Sequence, residues 1–284
     1  MRYSSIGIFC IFNILMLPIC IAQNIYVGGG LLMSTYFGDL SPNSLKSSST
    51  EIHPGFGFYI SKKIFTPFYI QVEYEHCKLT GNDAKSNNEG RRLRNLSFES
   101  PLSLLAVSGK IQLKFNRNNT CGLSGGLGYA VFKFDPRTTL NGKKYSLKYY
   151  STEGQGLPGG PPPYKLIQGA IPVTGGIYIK IANNLYTEFQ ITQFFTNTDY
   201  LDDVSGLYFN PDVLIQYKGQ IAYDLSYRTQ EILPSAPGYS GGEPRGNPKQ
   251  KDQFLFMKLG FAWSFDAKNF SRKISRKKVN CPSF

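Results

Sequence analysis

Residues 253–265 read QFLFMKLGFAWSF, a run in which Leu255, Met257, Leu259, Phe261, Trp263 and Phe265 alternate without a break with Phe256, Lys258, Gly260, Ala262 and Ser264. Successive side chains of an extended strand point to opposite faces, so one face here is wholly apolar and the other carries a charge and small residues. The same period of two recurs in TPFYIQVEYEH (66–76), where Phe68, Ile70, Val72 and Tyr74 oppose Tyr69, Gln71, Glu73 and Glu75. It recurs in VSGKIQLKF (107–115), with Val107, Ile111, Leu113 and Phe115 against Ser108, Lys110, Gln112 and Lys114. In LYTEFQITQFF (185–195), Leu185, Phe189, Ile191 and Phe195 oppose Tyr186, Glu188 and Gln190. These are strands with a different solvent on each face.

The N-terminus sets the compartment. Arg2 precedes an apolar run from Ile6 to Ile21, and Cys20 and Ala22 place small residues at −3 and −1 of a cleavage site before Gln23, the pattern of a cleaved secretory signal over 1–22. Asn13 and Pro18 interrupt the run, which falls short of the ~20 apolar residues a spanning helix needs. Removing 22 of the 284 residues leaves 262, and beyond the signal the longest apolar stretches resemble LSLLAV (102–107). An exported chain of this kind is either a soluble β domain or a membrane barrel whose strands are half apolar.

The connections separate the two. Eight strands are expected near 24–37, 54–62, 66–79, 95–115, 120–133, 168–181, 184–196 and 252–265. Three of the links are tiny (KKIF, NRNN, AN) and the other four are long and polar, the last running from 197 to 251. Strict alternation of short turns with long loops is the layout of an outer-membrane barrel with turns in the periplasm and loops outside. The expected fold is therefore all-β: an eight-stranded antiparallel up-and-down transmembrane barrel over 23–265. The final aromatic, Phe265, completes a strand similar to the terminal signal by which such barrels are recognised for insertion.

Eight strands enclose an interior only wide enough for side chains. Glycines 28, 30, 57, 126, 128 and 176 fall on inward faces and make room there. Glu73, Glu75 and Glu188 face Lys110, Lys114, Lys180 and Lys258, predicting a salt-bridged plug rather than an ion path.

GQGLPG (154–159) matches the dinucleotide fingerprint G-x-G-x-x-G, but Pro158 and Pro161–Pro163 forbid the helix that would receive a pyrophosphate. The match is false, and neither a nucleotide nor another cofactor is expected. TEGQGLPG, AIPVTGGIYIKI, TDYLDDVSGLY, RGNPK (245–249) and the final CPSF together resemble the DUF6089 family of Bacteroidota outer-membrane β-barrels, over essentially the whole mature chain. That family includes PorG-like barrels of the type IX secretion system. The resemblance implies a component of the cell outer membrane that anchors protein-secretion machinery, with periplasmic ring proteins below it and outer-membrane lipid and lipopolysaccharide around it. A free-standing OmpA-like surface barrel and a lipid-modifying enzyme are the alternatives.

Within TDYLDDVSGLYFNPD, Asp199, Asp202 and Asp203 lack the spacing of a calcium loop. They are expected instead to pair with Arg91, Arg92 or Arg94 and fix the barrel mouth, with Ser205-Gly206 as a turn. Asn210 caps a helix opened by Pro211, with Leu214, Ile221 and Leu225 on one face as a lid, although Gly219 weakens it. The two histidines, His53 and His76, lie in no nucleophile motif, and no catalytic, metal or cofactor residue is assigned. Cys77, Cys121 and Cys281 form no metal spacing. Cys121 and Cys281 fall on the periplasmic side, which makes them the expected pair if a disulfide forms.

The chain carries a net charge of +12, or +11 once the signal and its one arginine are gone. The tail 266–284 holds six Lys/Arg against Asp266. An exported location makes nucleic acid an implausible partner, so the tail reads either as a solvated run or as a docking segment for an acidic partner, lipid headgroup or wall polymer.

Overall fold

The computed structural model describes residues 25–41, 51–115 and 120–265. Ten strands run through them: β1 (Ile25–Phe37), β2 (His53–Phe65), β3 (Phe68–Asn82), β4 (Ser97–Lys114), β5 (Cys121–Phe134), β6 (Arg137–Leu140), β7 (Lys143–Ser146), β8 (Ile167–Lys180), β9 (Leu185–Thr196) and β10 (Gln253–Phe265). The eight long strands form a closed antiparallel ring, β1 pairing with both β2 and β10, and β3 with β4. Their bounds lie within three residues of the sequence expectation, because each is delimited by the loss of the two-residue period. The first short turn is tighter than expected: β2 continues through KKIF to Phe65, leaving only Thr66 and Pro67 before β3.

The outside of the ring is apolar. Leu31 is 74% exposed, Leu127 61% and Leu259 60%, and similar residues cover every long strand. A continuous apolar belt of this extent is not tolerated in water. With each long strand paired to a neighbour on both sides, the fold meets the requirement for spanning lipid. Among the described residues no helix is long and apolar enough to cross a membrane; the strands do so.

The interior is layered. Near the short turns Tyr26 packs edge-on against Tyr69 and Tyr186, at 5.8 and 5.7 Å between ring centroids. Above them Lys258 Nζ donates to Glu73 at 2.9 Å and to Glu75 at 2.7 Å, while Lys110 Nζ reaches Glu188 at 3.2 Å. Tyr59 lies between the two ammonium groups, 5.7 Å from Lys110 Nζ and 5.6 Å from Lys258 Nζ. The salt-bridged lumen is thus present, with two corrections. Lys114 is exposed at the end of β4 and Lys180 half-buried at the end of β8, and neither joins the plug. The half nearer the long loops is not polar but packed with Leu32, Leu79, Leu102, Phe132, Phe194, Phe254 and Phe256.

Gly28 shows why small residues line the narrow part: a Cβ there would sit 2.4 Å from the Tyr59 ring. Two features of the loops were not expected. The hairpin β6–β7 extends the sheet beyond the ring from β4, through Glu99 opposite Arg137. The long fourth loop holds two short helices, α2 (Pro211–Lys218) and α3 (Gln220–Ser226), rather than one. The expected cap is present, since Asn210 Oδ1 accepts from the N–H groups of Asp212 and Val213. Gly219, at φ +82°, breaks the chain direction between the helices. Leu214 and Leu225 are buried, but that break turns Ile221 outward, 41% exposed.

Candidate functional site

The described structure is most elaborate where four loops meet over the mouth of the ring. Glu153 and Arg245, both buried, form an ion pair with Arg245 Nη1 2.9 Å from Glu153 Oε1. The carboxylate also accepts from the consecutive N–H groups of Ser205 and Gly206, at 2.9 and 3.1 Å. Arg245 donates from the same nitrogen to the carbonyl of Asp203 at 2.7 Å. Asp203 itself has a left-handed backbone (φ +66°) and accepts from Thr152 and, at 2.6 Å, from the Tyr164 hydroxyl. The Tyr164 ring stacks on Tyr200 at 4.8 Å. Three of the stretches that carry the family resemblance, TEGQGL, TDYLDDVSG and RGNPK, therefore converge on one buried cluster.

A second group ties the first strand to the fourth loop. The Tyr36 hydroxyl lies 2.7 Å from Asp202 Oδ2 and 2.7 Å from Asp252 Oδ1. One hydroxyl has one proton to give, so both short contacts are hydrogen bonds only if one carboxyl is itself protonated and donates to the phenolic oxygen. Burial, the largest cause, raises Asp202 from the usual carboxylate range to about 8 and holds Asp252 well above it. The two short contacts and the burial of both carboxyls together fit a pair that holds one proton between them. Burial also lifts Asp203 and Asp199 to about 6, and Asp199 accepts from Ser205 Oγ at 2.7 Å.

The expected pairing of Asp199, Asp202 and Asp203 with Arg91, Arg92 or Arg94 does not occur. Arg94 instead binds Asp83 through two nitrogens, at 2.6 and 2.8 Å, and Arg91 approaches the same carboxylate at 3.5 Å. Arg92 bonds the carbonyls of Ser86 and Asn87. Asp83 is fully buried at the foot of the short helix α1 (Glu89–Arg94), close enough in sequence to satisfy these arginines locally. The three aspartates diverge to separate partners, and among the described residues no three His, Cys, Asp or Glu side chains converge as metal ligands. Asp83, Glu153, Arg245 and Asp252 were not singled out from sequence, since nothing local links positions so far apart.

On the outer wall, at the loop end of the apolar belt, His76 Nδ1 lies 2.9 Å from Ser103 Oγ. The histidine is half-buried beside Phe56, and among the described residues no carboxylate bonds its other nitrogen. Ser103 sits in a strand paired on both sides, opposite His76 and Lys133, so its own N–H is committed to the ladder. Cys77 is buried and Cys121 half-buried, both free; Cys281, and with it the expected disulfide, lies outside the described residues, as do the signal segment and the tail.

No protein-family model matches this sequence, and no curated protein matches it. Solved structures of similar architecture include Ail, the attachment invasion locus protein of Yersinia pestis, at 8% identity and a TM-score of 0.40, covering 86% of this chain and 100% of that one. The outer membrane protein OprG from Pseudomonas aeruginosa is similar at 8% identity and a TM-score of 0.41, covering 86% and 96%. Neisserial surface protein A is similar at 9% and 0.40, covering 85% and 97%. At such identities the likeness is one of fold alone.

Proposed function

We propose that this chain is an outer-membrane β-barrel with a structural, anchoring role, serving the type IX secretion machinery in a PorG-like way. The observation that carries the anchoring role is the sealed interior: a layer of tyrosines, a layer of buried ion pairs, a layer of apolar side chains and a knitted cap stand in series. Such a barrel conducts nothing, so its work is done by its surfaces. In planar bilayers the purified protein is expected to give no stable large conductance, and reproducible porin-like steps would overturn the reading.

The type IX assignment is supported by the sequence resemblance and by the basic tail. The periplasmic turns are too small to supply the ~800 Å² per partner of a specific interface, whereas a cationic tail adds area and steering toward an acidic ring subunit. Removing residues 267–284 is expected to leave the barrel inserted while loosening co-purification with ring proteins and reducing type IX export. Unchanged export would reject the tail as the docking element, and unchanged export after deletion of the gene would reject the secretion role, leaving a free-standing surface barrel. The His76–Ser103 contact favours a second reading, action on lipid acyl esters, in which gene deletion alters lipid A acylation and His76→Ala reproduces it.

A further inference from the structure

Above the row formed by Tyr74, Leu105 and Val131, all exposed and apolar, the outer wall of β3, β4 and β5 changes character within one step. The next outward row is His76, Ser103 and Lys133. Lys78 stands beside Pro101 above it, and Thr80, Glu99 and Arg137 follow. The hairpin β6–β7 adds Lys144, bonded to Glu99. Four cations, Lys78, Lys133, Arg137 and Lys144, thus stand against two carboxylates, Glu99 and Asp135, at the height where hydrocarbon gives way to headgroups. Between wall and hairpin lies an open groove of about 460 Å³, lined among others by Phe56, His76, Lys78, Pro101, Arg137 and Lys144.

Three of the cations share two carboxylates, Lys78 and Lys144 with Glu99 and Arg137 with Asp135, so positive charge is left in excess. Lys78 reaches Glu99 only at 3.8 Å and is half exposed, and Lys133 has no ion-pair partner among the described residues. Arg137 binds Asp135 through Nε at 2.7 Å, and its terminal nitrogens have no hydrogen-bond partner among the described residues. A guanidinium fork beside ammonium groups is a donor set suited to phosphate, while Phe56 and Pro101 offer apolar contact at the lower end. The local excess of two positive charges matches one phosphomonoester dianion.

We infer that this groove is a lateral docking site for a phosphorylated glycolipid of the surrounding outer leaflet, whose phosphate is held by Lys78, Arg137 and Lys144, with Lys133 adding positive charge from the adjoining strand β5. It rests on the reading that the loop end faces the cell exterior. That orientation is tested separately, by surface labelling of Lys144 in intact cells. The binding measurement uses purified barrel and does not depend on it.

The experiment is native mass spectrometry of the full mature chain in detergent, with added lipid A bearing two phosphates, dephosphorylated lipid A, or phosphatidylethanolamine. Each cation near an anionic lipid contributes about fivefold in affinity. The variant Lys78→Gln/Lys133→Gln/Arg137→Gln/Lys144→Gln, still heat-modifiable and hence folded, is therefore expected to lose lipid A retention by about tenfold or more. The control Lys62→Gln/Lys63→Gln, at the opposite end of the wall, is expected to retain it. Equal retention by the fourfold variant, an equal loss in the control, or equal retention of the dephosphorylated lipid or of phosphatidylethanolamine by the native chain would overturn the assignment.

Discussion

In the middle of the barrel Glu73 and Glu75 face a single ammonium, that of Lys258; at the mouth Asp202 and Asp252 face a single hydroxyl, that of Tyr36. Both places bury two carboxyls around one donor, but the donors differ in charge. In the lumen an ammonium fixed to the wall bonds both carboxyls and offsets the charge of one. At the mouth no cation bonds the pair, and a proton taken from solvent does the balancing. The lumen thereby carries a fixed countercharge of its own, which the mouth lacks.

The largest effect is expected from removing the fixed charge. Lys258→Met leaves two buried carboxylates without a cation, which costs about 3–5 kcal/mol, and it is read as a lowered urea midpoint of the barrel in detergent micelles. An unchanged midpoint would break the lumen half of the comparison. Arg245→Met strips the cation from Glu153, but the Ser205 and Gly206 N–H groups remain. A smaller cost of about 2–3 kcal/mol is expected, confined to the mouth. Protease added to intact cells should cut the third and fourth loops while the barrel keeps its heat-modifiable mobility.

The mouth should also respond to pH. Asp202 has a folded pKa near 8, above its unfolded value. Its stabilising contribution is therefore full below the unfolded pKa of about 4 and is lost as pH rises through about 8. Loop cleavage should accelerate between about pH 4 and pH 8, by up to about tenfold per pH unit for one proton, and level off above. Asp202→Asn, which stays neutral, should flatten that profile. A profile as steep in the variant as in the native protein would remove the shared proton from the account. The smallest effect belongs to Ile221→Ala, expected within about 0.5 kcal/mol because the side chain faces out. A large loss of loop protection in that variant would restore the single amphipathic helix.

What the sequence made legible follows the same division. The ring was readable because a two-residue period between lipid and lumen is imposed on every strand, and QFLFMKLGFAWSF alone states both faces. Inward Glu73, Glu75, Glu188, Lys110 and Lys258 followed by parity. Lys114 and Lys180 share that parity but lie at strand ends, where inward and outward lose their meaning. The mouth was not readable in this way, because Glu153, Asp203 and Arg245 meet through loops with no common period. One part of it did carry a local signal. Asn141-Gly142, with φ of 50° and 75°, is the turn pair of a two-residue hairpin, and it foretells β6–β7 in TTLNGKKYS.

Ring closure has a consequence for how the molecule is made. The seam joins Ile25 to Phe265, the two ends of the described barrel. Its contacts are among the most distant in sequence that the chain makes, and such contacts form late. Until β10 reaches β1, both strands present long unpaired edges that invite pairing with other chains. The barrel is therefore complete only after its last strand has been delivered, and until then both margins stay open.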